Sequence, residues 1–275
     1  MLRGLHTAAS GMISQQRRQE MLTDNLSNAN TPGFKAEQGS IRAFPNMLIQ
    51  ALGTNHSMQF GSNRVGELST GAYLQERTPN FTQGDMQETG NNTDIALLQG
   101  NVPVDEETGE AAMLAYNVED NNGDIRYTRN GNFTVDGSGF LTSSQGHYIL
   151  DADGERIEVG NDQFRVSTEG EILIGADEEP FTQINVAVIP DPTQLVKEGN
   201  GLLNYEGEEE IETAIDNEET AYQLQQGFIE RSNVDASQVM TEMMTAMRSF
   251  EANQRVVQAY DQSMERAVND IGRLG

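Results

Sequence analysis

An apolar seam runs through the last stretch of the chain in alternating steps of four and three: Val239, Met243, Ala246, Phe250, Asn253, Val257, Tyr260, Met264, Ala267 and Ile271. Nine of these ten positions are apolar over more than four heptads. Strand side chains alternate every two residues, so this period belongs to a long helix with one apolar face. Asp235 followed by Gln238 offers an N-cap, and Gly272 a stop. The spacing predicts a helix over 236–271. At 1.5 Å per residue it is about 50 Å long, longer than a small β domain is wide, and its apolar face needs a partner.

The other end of the chain supplies one. Leu2, Leu5, Ala9, Met12, Gln16 and Gln19 keep the same spacing, and Leu22, Leu26 and Ala29 continue it with one irregular step. Thr31-Pro32-Gly33 ends this helix, because proline donates no N–H and restrains the residue before it. Gln at seam positions makes it the weaker and wetter of the two. Helices of this kind are stabilised mostly by packing, so the two ends are expected to pair as a coiled coil, with each other or with neighbouring copies.

Between them the chain changes character. It has 275 residues and a net charge of −26, and residues 36–226 hold 34 of the 43 acidic groups, leaving the two ends near neutral. This middle also holds six of the seven prolines, the punctuation of short strands and turns. Strands are expected at Ile125–Arg129, Asn132–Val135, Gly139–Thr142, Tyr148–Leu150, Gln163–Val166, Glu171–Ile174 and Ile184–Ile189, with turns at Asp136-Gly137, Gln145-Gly146 and Asp153-Gly154. Ile184–Ile189 is the most apolar run and the expected core strand; Glu206–Glu219 reads as a solvated loop or edge, and Phe44–Leu52 as a short helix. The fold class is thus mixed, a mainly β central module between long N- and C-terminal α-helices. The expected division is a first helix in 1–34, a connector over 35–80, an acidic all-β module over 81–225 and a last helical segment over 226–275.

Several function classes fall away. A charge of −26 repels phosphate backbones and anionic headgroups, which excludes a general nucleic-acid or membrane-surface binder. The absence of cysteine removes thiolate nucleophiles and Cys-ligated metals. The three histidines, His6, His56 and His147, are scattered, and no GxGxxG or GxxxxGK[ST] occurs. Asp120–Asp124 and Asp151–Gly154 are acid-rich turns without the ligand spacing of a calcium loop. Catalytic, cofactor and metal residues are therefore expected to be none, with no small-molecule substrate. The rival class is a soluble acidic enzyme or binding module whose terminal helices pair within one monomer.

Longer motifs narrow the choice. Asp24-Asn25-Leu26-Ser27-Asn28-Ala29-Asn30-Thr31-Pro32-Gly33-Phe34-Lys35 resembles the N-terminal signature of bacterial flagellar rod and hook proteins, N-[LI]-x-N-x-x-T-x-G-[FY]-[KR]. Leu224-Gln225-Gln226-Gly227-Phe228-Ile229-Glu230-Arg231-Ser232-Asn233-Val234-Asp235 resembles that family's L-x-x-G-x-x-E-x-S-N-V-[ND] element. Inside the chain, Phe81–Asn91 is similar to F-x-Q-G-x-L-x-x-T-G-N, and Tyr127–Phe133 to Y-T-R-x-G-x-F, both features of the distal-rod and hook branch. The stretch after Asp94-Ile95-Ala96-Leu97 departs from the family's usual L-D-L-A-I-x-G-x-G-F-F pattern, which leaves the family member open.

The resemblance implies a structural subunit of the distal rod, transmitting torque through a helical tube of self-associated copies, with a hook subunit or hook scaffold protein as the alternative. It implies other rod and hook proteins and the flagellar type III export apparatus as partners. It also implies a place in the basal body reached without a cleaved signal. The residues that it and the two apolar seams together mark for the assembly interface are Leu5, Met12, Asn25, Asn28, Asn30, Pro32, Gly33 and Phe34 near the first helix. Near the second they are Asn233, Val234, Met243, Phe250, Asn253, Val257, Tyr260 and Met264.

Overall fold

The computed structural model describes residues 2–45, 47–51, 63–68, 71–104, 109, 111–175, 180–207, 209, 211–217 and 219–272. Two helices, α1 (Leu2–Ser27) and α2 (Ala236–Gly272), bracket a series of short strands. The chain divides into two compact units, one of Met1–Ser27, Glu37–Thr78 and Asp235–Gly275, the other of Asn28–Ala36 and Pro79–Val234. The first unit has 10 basic and 11 acidic residues; the second has seven and 32, a net charge of −25.

In the first unit α1 packs against α2. Asp235 caps α2 as the sequence predicts: its Oδ1 accepts the N–H groups of Ser237 and Gln238 at 2.9 and 3.0 Å. The Gln238 amide points along the helix and donates to Glu242. Val239 and Ala246 are buried, and Met243, Phe250, Asn253, Val257, Tyr260, Met264 and Ala267 are half-buried, while most positions between them are exposed. From Val239 to Ala267 the seam read from the sequence is thus the covered stripe of α2; the side chain of Ile271, its last member, lies outside the described residues.

On α1 the stripe differs from the expected one. A Cβ on Gly4 would run into the Tyr260 phenol, one on Gly11 would lie 2.9 Å from the Asn253 amide, and Arg18 Nη2 meets Glu242 Oε2 at 3.0 Å. The numbers fall on α2 as they rise on α1, so the helices are antiparallel. The face of α1 turned to α2 therefore passes through Gly4, Gly11 and Arg18, and the expected seam residue Gln16 is exposed. A polar side chain that bonds water gains nothing by burial, whereas two glycines let the larger side chains of α2 approach closely.

α1 also holds a small β layer. Ser14 Oγ donates to the Ala72 carbonyl at 2.8 Å, and Ser10 Oγ accepts the Ala72 N–H at 3.3 Å. Strand Ala72–Leu74 pairs antiparallel with Ile41–Ala43. The short helix expected at 44–52 is not formed: Met47–Ala51 is a strand paired with Asn63–Leu68, and Leu52 lies outside the described residues. Pro45 disfavours helical backbone just before it, and so short an apolar run cannot nucleate a helix when a second strand offers a ladder.

The second unit is built on a nine-stranded sheet. Its hub is the strand Met113–Glu119, which pairs antiparallel with Ile125–Thr128, Tyr148–Ile149 and Val186–Ile189. Both Met113–Tyr116 and Val186–Ile189 are buried throughout, so the expected core strand shares the centre with one that the sequence reading did not pick out. Tyr116, whose O–H donates to the Ile95 carbonyl at 2.8 Å, meets the Phe133 ring edge-on and shares the main buried cluster with Leu114 and Ile149. Strands Ile95–Gln99 and Tyr222–Gln226 form a separate ribbon, as do Met86–Glu88 and Phe228–Glu230. Within the acidic run, Glu212–Thr213 is an edge strand beside Val186–Ile189.

One turn recurs five times among the described residues of this unit, over Asp120–Asp124, Asp136–Phe140, Ser143–His147, Asp151–Glu155 and Ser167–Glu171. In each the first residue's N–H donates to the fifth residue's carbonyl at 2.8–2.9 Å, and the fourth residue's N–H donates to the first residue's carbonyl at 2.9–3.1 Å. The first side-chain oxygen accepts the fifth N–H at 2.8–3.2 Å. The fourth residue is always glycine, at φ between +81 and +95°, the left-handed backbone that glycine adopts without strain. The positive-φ glycine after Asp136 is accordingly Gly139, not Gly137. The acid-rich stretches are hairpin turns whose carboxylates are occupied by backbone N–H groups, and those bonds hold the Asp120 carboxyl below its ordinary range.

Candidate assembly site

Residues from all four motifs meet inside the second unit. After α1 the chain turns through Asn28–Phe34, where Thr31 donates its N–H to the Asn28 carbonyl at 3.1 Å and its hydroxyl to Asn28 Oδ1 at 3.2 Å. Asn30 is exposed and Pro32 half-buried. Gly33 stands at φ +70° with its N–H donating to the Glu230 carbonyl at 2.8 Å, and a Cβ there would lie 2.5 Å from the Arg129 carbonyl. Only glycine tolerates both conditions. The Phe34 ring carries the Lys197 ammonium 4.3 Å from its centroid.

Lys35 comes next and is buried, its side chain only 5% exposed. Its Nζ donates to Glu230 Oε1 at 2.6 Å and to the Thr82 carbonyl at 2.9 Å, and the Gly84 N–H donates to the same Oε1 at 2.8 Å. The other carboxylate oxygen, Oε2, accepts Arg129 Nε at 3.0 Å and lies 2.9 Å from Nη2. Arg129 spends its remaining donors on the carbonyls of Leu114 and Leu97, at 2.8 and 2.9 Å. Two buried cations thus share one buried anion whose bonding capacity is well used, the condition under which buried charges are tolerated.

The electrostatics give this cluster a pH signature. Burial is the largest influence on Lys35 and, with Arg129 nearby, holds its pKa below the ordinary 10.5 despite the attraction of Glu230. Burial pushes the Glu230 carboxyl up, but the charges of Arg129 and Lys35 and the hydrogen bonds it accepts outweigh burial and leave it below the ordinary 4.5. Between the depressed folded pKa of Lys35 and 10.5 the folded state binds fewer protons than the unfolded one, so this group's contribution to stability rises with pH. Glu230 contributes above pH 4.5, and its contribution is lost as pH falls through its lower folded value. We therefore expect Lys35→Met to lower the slope of the urea midpoint against pH on the alkaline side, so that the midpoint rises less or falls more; an unchanged slope would remove Lys35 as a contributor.

Two asparagines hold the backbone that follows Lys35 in the chain. Asn233 Oδ1 accepts the Ala36 N–H at 2.7 Å, and its Nδ2 donates to the carbonyls of Asn80 and Thr82 at 2.8 and 3.0 Å. Asn25, buried on α1, accepts the Glu37 N–H and donates to the Glu37 carbonyl, both at 2.8 Å. Each side chain acts as a strand neighbour for the segment that leaves the turn. Either Asn→Ala change strands backbone groups in a partly buried place and is expected to lower stability by about 1–3 kcal/mol, measured by urea melts; a loss below about 0.5 kcal/mol would mean that water replaces the clamp.

The remaining marked residues divide between the units. Leu5 and Met12 are half-buried on α1; Met243, Phe250, Asn253, Val257, Tyr260 and Met264 line the covered stripe of α2; and Val234 is half-buried with its N–H donating to Ser232 Oγ at 3.3 Å. Sequence reasoning quoted Lys35, Arg129 and Glu230 inside its motifs but did not single them out. A usable signal was present: with seven basic residues in a unit of net charge −25, a cation inside a motif needs a reason. Among the described residues no group of three or more His, Asp or Glu side chains is placed to hold a metal ion.

Comparison with known proteins matches this arrangement at both ends and in the middle. A family described as flagella basal body rod protein matches residues 5–35, the flagellar hook protein FlgE/F/G D1 domain matches 116–174, and the flagellar basal body rod FlgEFG protein C-terminal matches 225–270. The chain is 43% identical over 274 residues to the flagellar hook-basal body complex protein FlhO of Bacillus subtilis, covering all of both chains. It is 31% identical over 281 residues to the flagellar basal-body rod protein FlgG of Borreliella burgdorferi, covering 98% of each. It is 26% identical to the hook-basal body complex protein FlhP of Bacillus subtilis, covering 96% of this chain and 97% of the relative. The chain belongs to the flagellar basal-body rod and hook protein family.

Proposed function

We propose that this chain is a structural, non-catalytic subunit of the flagellar basal body, placed in the distal rod. The observation that carries the reading is the full-length identity to a hook-basal body complex protein, spanning both terminal helices and the module between them. Copies associate through their terminal helices, whose four-and-three seam suits coiled-coil packing, into a helical tube that passes torque along many interfaces. Such a tube requires heterologous contacts that do not close on themselves. The partners are other rod and hook proteins, and the route out of the cell is the flagellar type III apparatus without a cleaved signal. Because FlhO and FlhP are named for the whole hook-basal body complex, a hook subunit or hook scaffold is the second reading.

Deleting the gene and imaging purified hook–basal bodies tests this. The expected result is truncated rods without hooks; complete rods carrying truncated hooks would favour the second reading, and intact structures would overturn both. A processed N-terminus, beyond loss of Met1, in mass spectra of basal bodies would count against the export route.

A further inference from the structure

Along α2 a second apolar ridge lies beside the covered stripe. Met240, Met244 and Met247 are 47, 55 and 55% exposed. Each is the residue immediately after Val239, Met243 or Ala246 of the stripe. The ridge repeats at steps of four and three, so the three side chains form one row, and over about the first three turns of α2 the apolar face is wide enough for two helices. Within the chain α1 covers the stripe and leaves the row open. Exposed methionines in a row suit a packing surface, since the flexible thioether side chain adapts to its partner.

Charge decides what the partner is. The unit with α2 has a net charge of −1, whereas the other carries −25, so a second copy is repelled at the β module and meets little repulsion at the helices. On α1 the large apolar side chain exposed among the described residues is Ile13, at 54%. We infer that the Met240–Met244–Met247 ridge of one copy receives the Ile13 face of α1 from a second copy. The contact joins two different patches, so wherever two copies form it once rather than reciprocally, each keeps one patch open and the contact can propagate from copy to copy. It rests on the self-assembly proposed above and names the surface that performs it.

The chain has no cysteine, which makes disulfide trapping clean. Basal bodies from cells producing the Ile13→Cys/Met244→Cys variant are oxidised and separated without reductant. The antiparallel register sets Ile13 opposite residue 251, about 10 Å along the axis from Met244, so a bond within one chain is disfavoured. The expected result is a ladder of covalent multimers from the double variant and none from either single variant. A dimer from Met244→Cys alone, or no ladder, would overturn the contact. Met244→Lys/Met247→Lys in the full chain is the second arm: far-UV circular dichroism of the purified protein is expected to be unchanged, because both side chains are half exposed, while basal-body incorporation falls at least tenfold. Normal incorporation of that variant would overturn the ridge and leave the structural role standing, whereas intact basal bodies in the deletion strain would remove the role itself.

Discussion

Glu230→Gln is expected to lower the stability of the β module by about 3–5 kcal/mol, the loss typical when one partner of a buried ion pair is removed. The residue that disappears is the single anion between Lys35 and Arg129, both nearly solvent-free, so the variant leaves two positive charges facing each other. Glutamine keeps the shape and an acceptor oxygen, and the loss measures charge rather than volume. Lys35→Met is the contrasting variant. It leaves Arg129 and Glu230 as a balanced pair, deletes the bond to Thr82 and keeps most of the apolar stem, so the expected cost is about 1 kcal/mol. Urea titrations of the full chain followed by tyrosine fluorescence rank the two. Equal losses would mean that the cluster acts by packing alone, and a Glu230→Gln loss below 1 kcal/mol would mean that water enters and solvates the cations.

How much of this was legible beforehand depends on whether the cause is local. The α2 seam, its Asp235 cap and the strands around Asp136–Thr142 and Glu171–Ile174 depend on neighbours a few residues apart, and the spacing revealed them. The failures share a different cause. Met47–Ala51 became a strand because of Asn63–Leu68, and Gln16 left the expected seam because the register with Tyr260 and Asn253 selected Gly4 and Gly11 instead. Met113–Glu119 follows an acidic stretch and shows no turn signal of its own, yet it is the hub of the sheet. The Lys35, Arg129 and Glu230 side chains come from positions up to 195 residues apart, and no periodicity links them. The family resemblance reached them in part, since each lies within a motif, but that each is buried against the others is a fact of packing.

Phe250→Asp is the change expected to affect the helical unit most. Phe250 sits at the middle of the covered stripe, half-buried, between Ala246 and Asn253. Removing the ring forfeits part of the ~3–5 kcal/mol of a fully buried phenylalanine, and the carboxylate brought in has no cation assigned to it in the stripe, so it must be hydrated by parting the helices. We expect a loss of about 2–3 kcal/mol in the pairing of α1 and α2, since helices of this type are held mostly by packing. Phe250→Leu is the control and should keep most of the contact. The readout has two parts: helix ellipticity at 222 nm should melt earlier, while the tyrosine signal of the β module keeps its midpoint, because the main buried apolar cluster of that module contains no residue of the helical unit. Incorporation into basal bodies should fall with the helical melt. If Phe250→Asp lowered the midpoint of the β module while incorporation stayed normal, the stripe would belong to a monomer core and would have no part in assembly.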